Sequence, residues 1–135
     1  MALDLPVATR QPYDSKNPWY DVSQYLSGGL TPYADQSVIA CADGNFVHYS
    51  FHIAIDRTFV DSDFVYLFRS MHKSLRVAAN AKATGWFTLG AKNDAHGVEF
   101  GTAGWIAMPV WRSQGITLAD YGMLFLNLTA ARSKP

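Results

Sequence analysis

The sequence has only one cysteine and no excess of charge of either sign. Cys41 has no second cysteine to pair with, so an intramolecular disulfide is excluded. The 135 residues include 11 Lys and Arg and 11 Asp and Glu, which gives a formal net charge of zero. Because binding to the phosphate backbone needs a cationic surface, we expect no direct nucleic-acid partner. The same balance argues against a polybasic membrane-binding surface.

Long apolar runs are also missing. No stretch of the sequence approaches the roughly 18 apolar residues of a membrane-spanning helix, so we expect no membrane contact. The chain starts Met-Ala-Leu-Asp-Leu-Pro, with an acidic residue at position 4 and without the apolar core of a secretory signal. The sequence therefore predicts synthesis in the cytoplasm without a signal peptide.

Glutamate is nearly absent. Of the eleven acidic residues ten are Asp, and only Glu99 is Glu. Glu favours helices, whereas Asp favours helix caps and turns. Aromatic residues make up 14% of the chain and favour strands, while ten Gly and six Pro are available for turns. The composition therefore predicts an all-β fold with many turns.

The region from Ser37 onwards has the pattern of short strands separated by turns. Phe46–Ile55 is the clearest strand, because it follows the hairpin signal Asp43-Gly44 and alternates apolar with polar residues. About seven to nine such strands predict an antiparallel β-sandwich, jelly-roll-like in arrangement, over residues 37–135. Within it, Thr84-Gly85 predicts a turn between the strands Ser74–Ala83 and Trp86–Ala91, and Asn93–Gly97 a polar loop.

The C-terminal part allows two interpretations. Thr117–Ala131 fits a helix that begins at Thr117. However, Gly122 interrupts this pattern, and Met123–Ala130 alternates with Leu at every second position up to Leu128. We favour a strand here.

Residues 1–36 differ from the rest of the chain. They contain four of the six prolines and no sustained period of 2 or 3.6 residues, which disfavours both helix and central strand. The segment is nevertheless too aromatic for a plain linker. We predict an extended N-terminal arm that lies on the surface of its own domain or of a neighbour, with one short strand over Trp19–Leu26 before Gly28-Gly29. The candidate partner-binding residues are Pro12, Tyr13, Trp19, Tyr20, Tyr25 and Tyr33.

No residue pattern indicates catalysis, a metal or a cofactor. His48 and His52 are four residues apart, which on a strand separates them by about 13 Å. Two histidines that share one zinc must both lie about 2.0–2.1 Å from it, so this pair does not fit. Cys41 lies among aliphatic residues without a flanking catalytic pattern, and free cysteines are often simply buried. We expect no catalytic, cofactor-binding or metal-binding residues.

Three tryptophans allow a second interpretation. Trp105 and Trp111 are six residues apart and share a face if their strand is regular, and Trp86 begins another strand. Exposed rings of this kind stack on sugars, and buried ones fill a core or a subunit interface. We favour the core or interface and keep Trp86, Trp105 and Trp111 as a possible ligand platform.

The arm Ala2–Gln36 followed by the strand series Ser37–Ala130 resembles the organisation of small structural proteins of tailed-bacteriophage particles. The nearest type is the capsid decoration or cement protein, in which a compact β-domain carries an extended arm. The resemblance involves no specific motif and transfers no residue role. It implies a non-enzymatic virion component on the capsid surface, with the major capsid protein or another shell protein as its partner. A sandwich with open edges and an arm also leads us to expect a homo-oligomer, a dimer or a trimer.

Two alternatives stay open. A carbohydrate-binding or host-attachment module would use exposed tryptophans as its platform. A small enzyme of unknown chemistry would need a pocket with converging polar groups, for which the sequence offers His48, His52, Asp56 and His96.

Overall fold

The computed structural model describes residues 3–9, 17–28, 30–55, 64–89, 92–109 and 122–133. Within these ranges the chain consists of strands, loops and two short 3-10 turns, at Ser23–Tyr25 and Lys73–Leu75, without an α-helix. The strands are β1 (Trp19–Asp21), β2 (Leu30–Pro32), β3 (Val38–Asp43), β4 (Phe46–Ile55), β5 (Phe64–Phe68), β6 (Ala81–Leu89), β7 (Lys92–Phe100), β8 (Ile106–Pro109) and β9 (Met123–Ala131).

All nine of these strands belong to one antiparallel sheet. Their order is β1-β3-β4-β9-β6-β7-β8-β5, and β2 pairs with the end of β4. The all-β antiparallel prediction is confirmed. The sheet curls until β5 meets the segment that follows β1, where the Ser27 N–H donates to the Leu67 carbonyl at 3.0 Å. The facing layers expected of a sandwich are therefore parts of one curled sheet, and the sandwich is confirmed only in part.

The core lies inside this curl. Strand β4 alternates as its sequence predicts, with Val47, Tyr49, Phe51, Ile53 and Ile55 buried. Their partners come from the opposite side of the curl: the ring centroids of Phe51 and Phe68 are 5.0 Å apart, and those of Tyr49 and Phe100 are 5.4 Å apart. Burying such rings is a main source of stability in a domain of this size.

One polar group crosses this core. The Tyr49 hydroxyl donates a hydrogen bond to the Leu75 carbonyl in the turn before β6. Burial raises the pKa of Tyr49, because the charged phenolate is disfavoured away from water. The hydroxyl therefore stays protonated and acts as a donor that ties β4 to this turn.

The hairpin of β6 and β7 corrects the sequence prediction. Thr84-Gly85 is not a turn and Asn93–Gly97 is not a loop, because both lie within nine consecutive register pairs from Ala81–Phe100 to Leu89–Lys92. Gly85 lies directly opposite His96, whose side chain is buried. A long ladder of backbone hydrogen bonds outweighs the local turn preference of Gly, Asn and Asp.

Two neighbouring predictions have different outcomes. The predicted strand Ser74–Ala83 is wrong in its first part, because Ser74 and Leu75 belong to a 3-10 turn and β6 begins only at Ala81. Met123–Ala130 is a strand, as predicted, and it extends to Ala131. The start of the alternative helix, residues 117–121, lies outside the described residues.

The N-terminal segment is part of the sheet in the residues that the structure describes. Leu5 is buried in the core, and the Ala8 N–H and the Asp21 N–H form hydrogen bonds of 2.9 and 2.8 Å with the carbonyls of Trp19 and Pro6. Residues 6–8 thus cover the outer edge of β1. Residues 17–36 contribute strands β1 and β2, and β1 lies within Trp19–Leu26, where the sequence predicts one short strand.

Candidate docking face

The outer face of the sheet is formed by the alternate positions that do not enter the core. On β4 these include His48, Ser50 and His52, and on β9 their direct register partners are Thr129, Asn127 and Phe125. Since side chains directly opposite each other on adjacent strands lie on the same face, these residues form three rows across the sheet. The row that contains His52 is aromatic.

This aromatic row consists of Tyr33, His52, Phe125 and Trp86. The ring centroids of Tyr33 and His52 are 3.9 Å apart with 17° between the planes, and those of His52 and Phe125 are 3.7 Å apart with 30° between them. Trp86 on β6 is the direct register partner of Phe125. The row therefore crosses from the end of β2 to β6, with three stacked rings and Trp86 on the neighbouring strand at its end.

The exposure of the row is unusual for aromatic side chains. Tyr33, Trp86 and Phe125 expose 53%, 55% and 39% of their surfaces, and His52 is half-buried between its neighbours. Single exposed apolar side chains need no explanation, but a contiguous set marks an interaction site. None of the four residues is Lys, Arg, Asp or Glu, and depletion of charge with enrichment of Tyr, Trp and Phe is typical of the centre of a protein interface.

The stacking also determines which ring surfaces are accessible. Both faces of the His52 ring are covered, one by Tyr33 and the other by Phe125. The middle of the row thus presents ring edges, whereas a sugar-binding platform needs an open ring face. Only the rings at the two ends of the row are not stacked on both faces. At one end, the register partner of Trp86 on β7 is Ala95, a small residue.

Polar grooves border the row on one side. One groove of about 310 Å³ lies beside His52 and Phe125, and a second of about 330 Å³ reaches Trp19 and Thr129. Both are lined by Ser50 and Asn127, which can donate and accept hydrogen bonds. The apolar row therefore has a polar rim, as interfaces generally do.

The outer face is covered beyond these grooves. Ile39 and Cys41 of β3 point to the same side as Ser50 and His48, their register partners, yet both are fully buried. They form a small cluster with Trp19 of β1 and Ala8 of the N-terminal segment. This segment therefore folds over one half of the outer face and leaves the other half, with the aromatic row, open.

The predicted partner-binding residues have different positions. Trp19 and Tyr20 are each only 2% exposed, so they are part of the domain and unavailable as external anchors. Tyr25 is half-buried with its ring edge-on to His72. Tyr33 is exposed and belongs to the aromatic row, whereas Pro12 and Tyr13 lie outside the described residues.

The predicted tryptophan platform is not brought together as a unit. Trp86 is exposed in the aromatic row, but Trp105 is half-buried at the start of β8, and Trp111 lies outside the described residues. A Cβ atom at Gly101 would lie 2.0 Å from the indole of Trp105. The Trp105 ring therefore packs directly on the Gly101 backbone, which hides one of its faces.

Sequence reasoning did not bring His52 and Phe125 together in one site. His52 was assigned to the polar outer face of β4 and kept as a pocket residue of the enzyme alternative, and Phe125 was not singled out. Alternation does place both on an outer face, but it does not say that β9 pairs with β4 in the register that brings the two rings together.

The described residues also bear on metal binding and on membrane-spanning helices. Among those residues no group of three or more His, Cys, Asp or Glu side chains is arranged to hold a metal ion. Over the same ranges, no helix has the length and apolarity to cross a bilayer. His48 and His52 lie on one continuous strand, where His48 Nδ1 is 2.8 Å from the Thr129 hydroxyl.

Comparisons with protein-family models, with curated proteins and with solved structures give no match. The functional proposal therefore depends on the geometry of the outer face.

Proposed function

We propose that this chain is a non-enzymatic assembly protein that associates with other protein subunits through its aromatic row. The observation that carries the proposal is the continuous set Tyr33, His52, Phe125 and Trp86, which is held in register by four sheet segments and left uncovered. Truncation of exposed aromatic anchors in an interface typically costs several kcal/mol of binding, so a row of this size suffices for specific association.

The hydrogen bonds at the sheet edges favour the outer face of the sheet, rather than an edge strand, as the contact surface. An open edge strand invites addition of a strand from another chain. Here residues 6–8 pair with β1, and Leu26 and Ser27 pair with β5. Strand addition at these positions would require the chain to give up its own hydrogen bonds. Association through the outer face requires no such loss.

The first partner in this proposal is a second copy of the chain. The formal net charge is zero, and the aromatic row has no charged member, so two copies approach without repulsion. A two-fold arrangement brings the same patch of both copies together, and a row of stacked rings with a polar rim is suited to such self-complementary packing. A homo-oligomer is also what the sequence predicts.

Sedimentation velocity over a range of concentrations tests this contact. We expect the wild-type chain to associate reversibly and the double variant Trp86→Ala with Phe125→Ala to remain monomeric. Phe46→Ala is the matched control, because Phe46 is 53% exposed but lies at the far end of β4, outside the row. A wild-type chain that stays monomeric, or a Phe46→Ala variant that dissociates equally, would contradict the proposal.

Within this proposal, the specific role of the assembled chain is to decorate a virus shell. The resemblance to capsid decoration proteins suggests that the associated copies bind a shell protein. Antibodies raised against the chain are expected to label the surface of assembled particles in cells that produce it. Labelling confined to unassembled protein would overturn the virion role while leaving the self-association test unaffected.

A glycan platform is the second candidate, and a single observation favours it. Trp86 is 55% exposed at the end of the row and faces the small Ala95 across the strand pair. Titration with oligosaccharides, followed by tryptophan fluorescence, distinguishes the candidates. A saturable change that disappears in Trp86→Ala would favour glycan binding over protein assembly, whereas no response leaves the assembly proposal standing.

A further inference from the structure

A third concave site lies away from the aromatic row and its two grooves, where the N-terminal segment meets the ends of β3 and β9. It has a volume of about 290 Å³. Its lining consists of Leu3, Asn17, Tyr20, Ala42, Gly44, Ser74 and Arg132. This volume lies at the lower end of the range for ligand pockets, so the site suits a small molecule.

Of the described residues that line this cavity, Arg132 alone is charged. Its guanidinium is held by backbone carbonyls: Nε donates to Ser74 O at 2.9 Å, and Nη1 donates to Gly44 O at 3.4 Å. The Arg132 backbone N–H also donates to Asn45 O at 2.8 Å. Within the described part of the chain, Arg132 forms no ion pair with a carboxylate. The charge is thus fixed in position, while its Nη2 donors are not used by these contacts.

The neighbouring side chains supply further donors. The Tyr20 hydroxyl accepts a hydrogen bond from the Leu3 N–H at 3.0 Å, which leaves its own O–H to donate. Ser74 contributes a hydroxyl and Asn17 an amide to the same lining. Asp43 is an acidic neighbour of this lining, with Oδ1 3.4 Å from the Asn17 amide and Oδ2 3.8 Å from His48 Nε2. Asp43 itself does not line the cavity.

We infer that this cavity binds a small oxyanion, a carboxylate or a phosphate, with Arg132 as its principal contact. A guanidinium presents paired N–H donors that match the two oxygens of either group, and Arg is the side chain best suited to this geometry. The hydroxyls of Tyr20 and Ser74 complete a set of donors around the guanidinium. The site is independent of the aromatic row and of the proposed assembly role.

Nuclear magnetic resonance titration of the ¹⁵N-labelled full chain tests this inference. Inorganic phosphate and succinate are added separately, with ionic strength held constant by sodium chloride. We expect saturable shifts of the Asn17, Gly44 and Ser74 amide signals with at least one of the two anions. Saturation by phosphate alone or by succinate alone identifies the class of anion that the site prefers. Shifts that do not saturate with either anion would overturn the inference.

Two variants locate the binding. Arg132→Gln is expected to weaken binding at least about tenfold, which corresponds to about 1.4 kcal/mol. Arg69→Gln is the matched control, because Arg69 lies over the Tyr66 ring at 5.0 Å and is not among the described residues that line the cavity. Equal weakening by both variants would indicate non-specific charge attraction and refute the site.

A further variant, Tyr20→Phe, tests the site if Arg132→Gln fails to fold. It keeps the buried ring and removes only the hydroxyl donor. We expect this variant to remain folded and to bind the anion several-fold more weakly. Unchanged affinity in a folded Tyr20→Phe variant, together with unchanged affinity in Arg132→Lys, would contradict the assigned donor set.

Discussion

The two halves of the outer sheet face differ in what covers them. On β1 and β3, the apolar side chains Trp19, Ile39 and Cys41 are covered, and Ala8 of the N-terminal segment packs with them. On β4, β9 and β6, the aromatic row is just as apolar but stays open, with Trp86 55% exposed. Both halves are built by the same alternation. The chain covers one half of the outer face itself, and the open half is the surface at which we propose that a partner binds.

The comparison shows that aromatic content alone does not distinguish a core tryptophan from a candidate interface tryptophan. Trp19 and Trp86 are both strand tryptophans on the outer face, each with a register partner on a neighbouring strand. Only the presence or absence of the N-terminal segment separates a core residue from a candidate interface residue. The assignment of a tryptophan to a core or to a site thus depends on a long-range contact.

The largest expected effect comes from truncating the covered tryptophan. Trp19→Ala should lower the free energy of unfolding by about 3–5 kcal/mol, because a fully buried aromatic side chain leaves a cavity. Trp86→Ala is the matched variant on the open half and should cost less than about 1 kcal/mol, the scale of a cross-strand pair. Urea denaturation of both variants measures the difference. Similar losses in both would mean that the two halves do not differ as described.

The next effect concerns the third described tryptophan, Trp105. Gly101→Ala places a methyl group within 2.0 Å of the Trp105 ring, so the indole must move. We expect a loss of about 1–3 kcal/mol, as for overpacking in a core. Gly97→Ala is the control, since no atom lies within 4 Å of the added methyl group. Thermal unfolding compares the two, and equal melting temperatures would show that Trp105 does not pack on Gly101.

A smaller effect is expected inside the aromatic row. His52→Ala removes the ring that separates Tyr33 from Phe125, at a cost of about 1 kcal/mol for the lost aromatic pairs. His52→Phe keeps a ring in this position and should restore most of the stability. Chemical denaturation gives both values. If His52→Phe were as unstable as His52→Ala, stacking would not be what holds the row together.

The smallest effect concerns the attachment of the N-terminal segment. His72 Nδ1 accepts from the Ser74 N–H at 3.1 Å, so Nε2 carries the proton that is donated to Asp4 Oδ1 at 2.9 Å. This hydrogen bond lowers the pKa of Asp4, which is exposed. A lowered carboxyl pKa contributes stability above the ordinary Asp pKa, and the contribution is lost as the pH falls through the lowered value.

The corresponding measurement is the pH dependence of unfolding for Asp4→Asn. The variant should be slightly less stable than wild type near neutral pH, and the difference should shrink as the pH falls below about 3.9. A stability difference that grows on acidification would show that the contact with His72 raises, rather than lowers, the pKa of Asp4.

Much of the fold follows from local patterns in the sequence. Alternation predicts the limits of β4 and the face of it that is buried, and the same pattern predicts β9 against the competing helix. Local signals failed for β6 and β7, where the Gly85–His96 pair sits inside a ladder. Turn composition describes what a short segment does alone, and a nine-pair hairpin overrides it.

Sequence reasoning identified only part of the candidate site. Tyr33 and Trp86 were singled out for their chemistry, but in different roles and in different parts of the chain. What unites them is the register of β9 with β4 and β6, which lets Phe125 link His52 to Trp86. Register between strands this far apart in the sequence depends on the packed sheet as a whole, so a single sequence does not specify it.

The most direct test of the central claim follows the indole N–H resonances of Trp86 and Trp19 as the protein concentration is raised. If the open half of the outer face is the contact between copies, the Trp86 signal shifts progressively on association. The Trp19 signal stays unchanged, because the chain itself already covers that ring. An unchanged Trp86 signal over a concentration range in which sedimentation shows association would contradict the account.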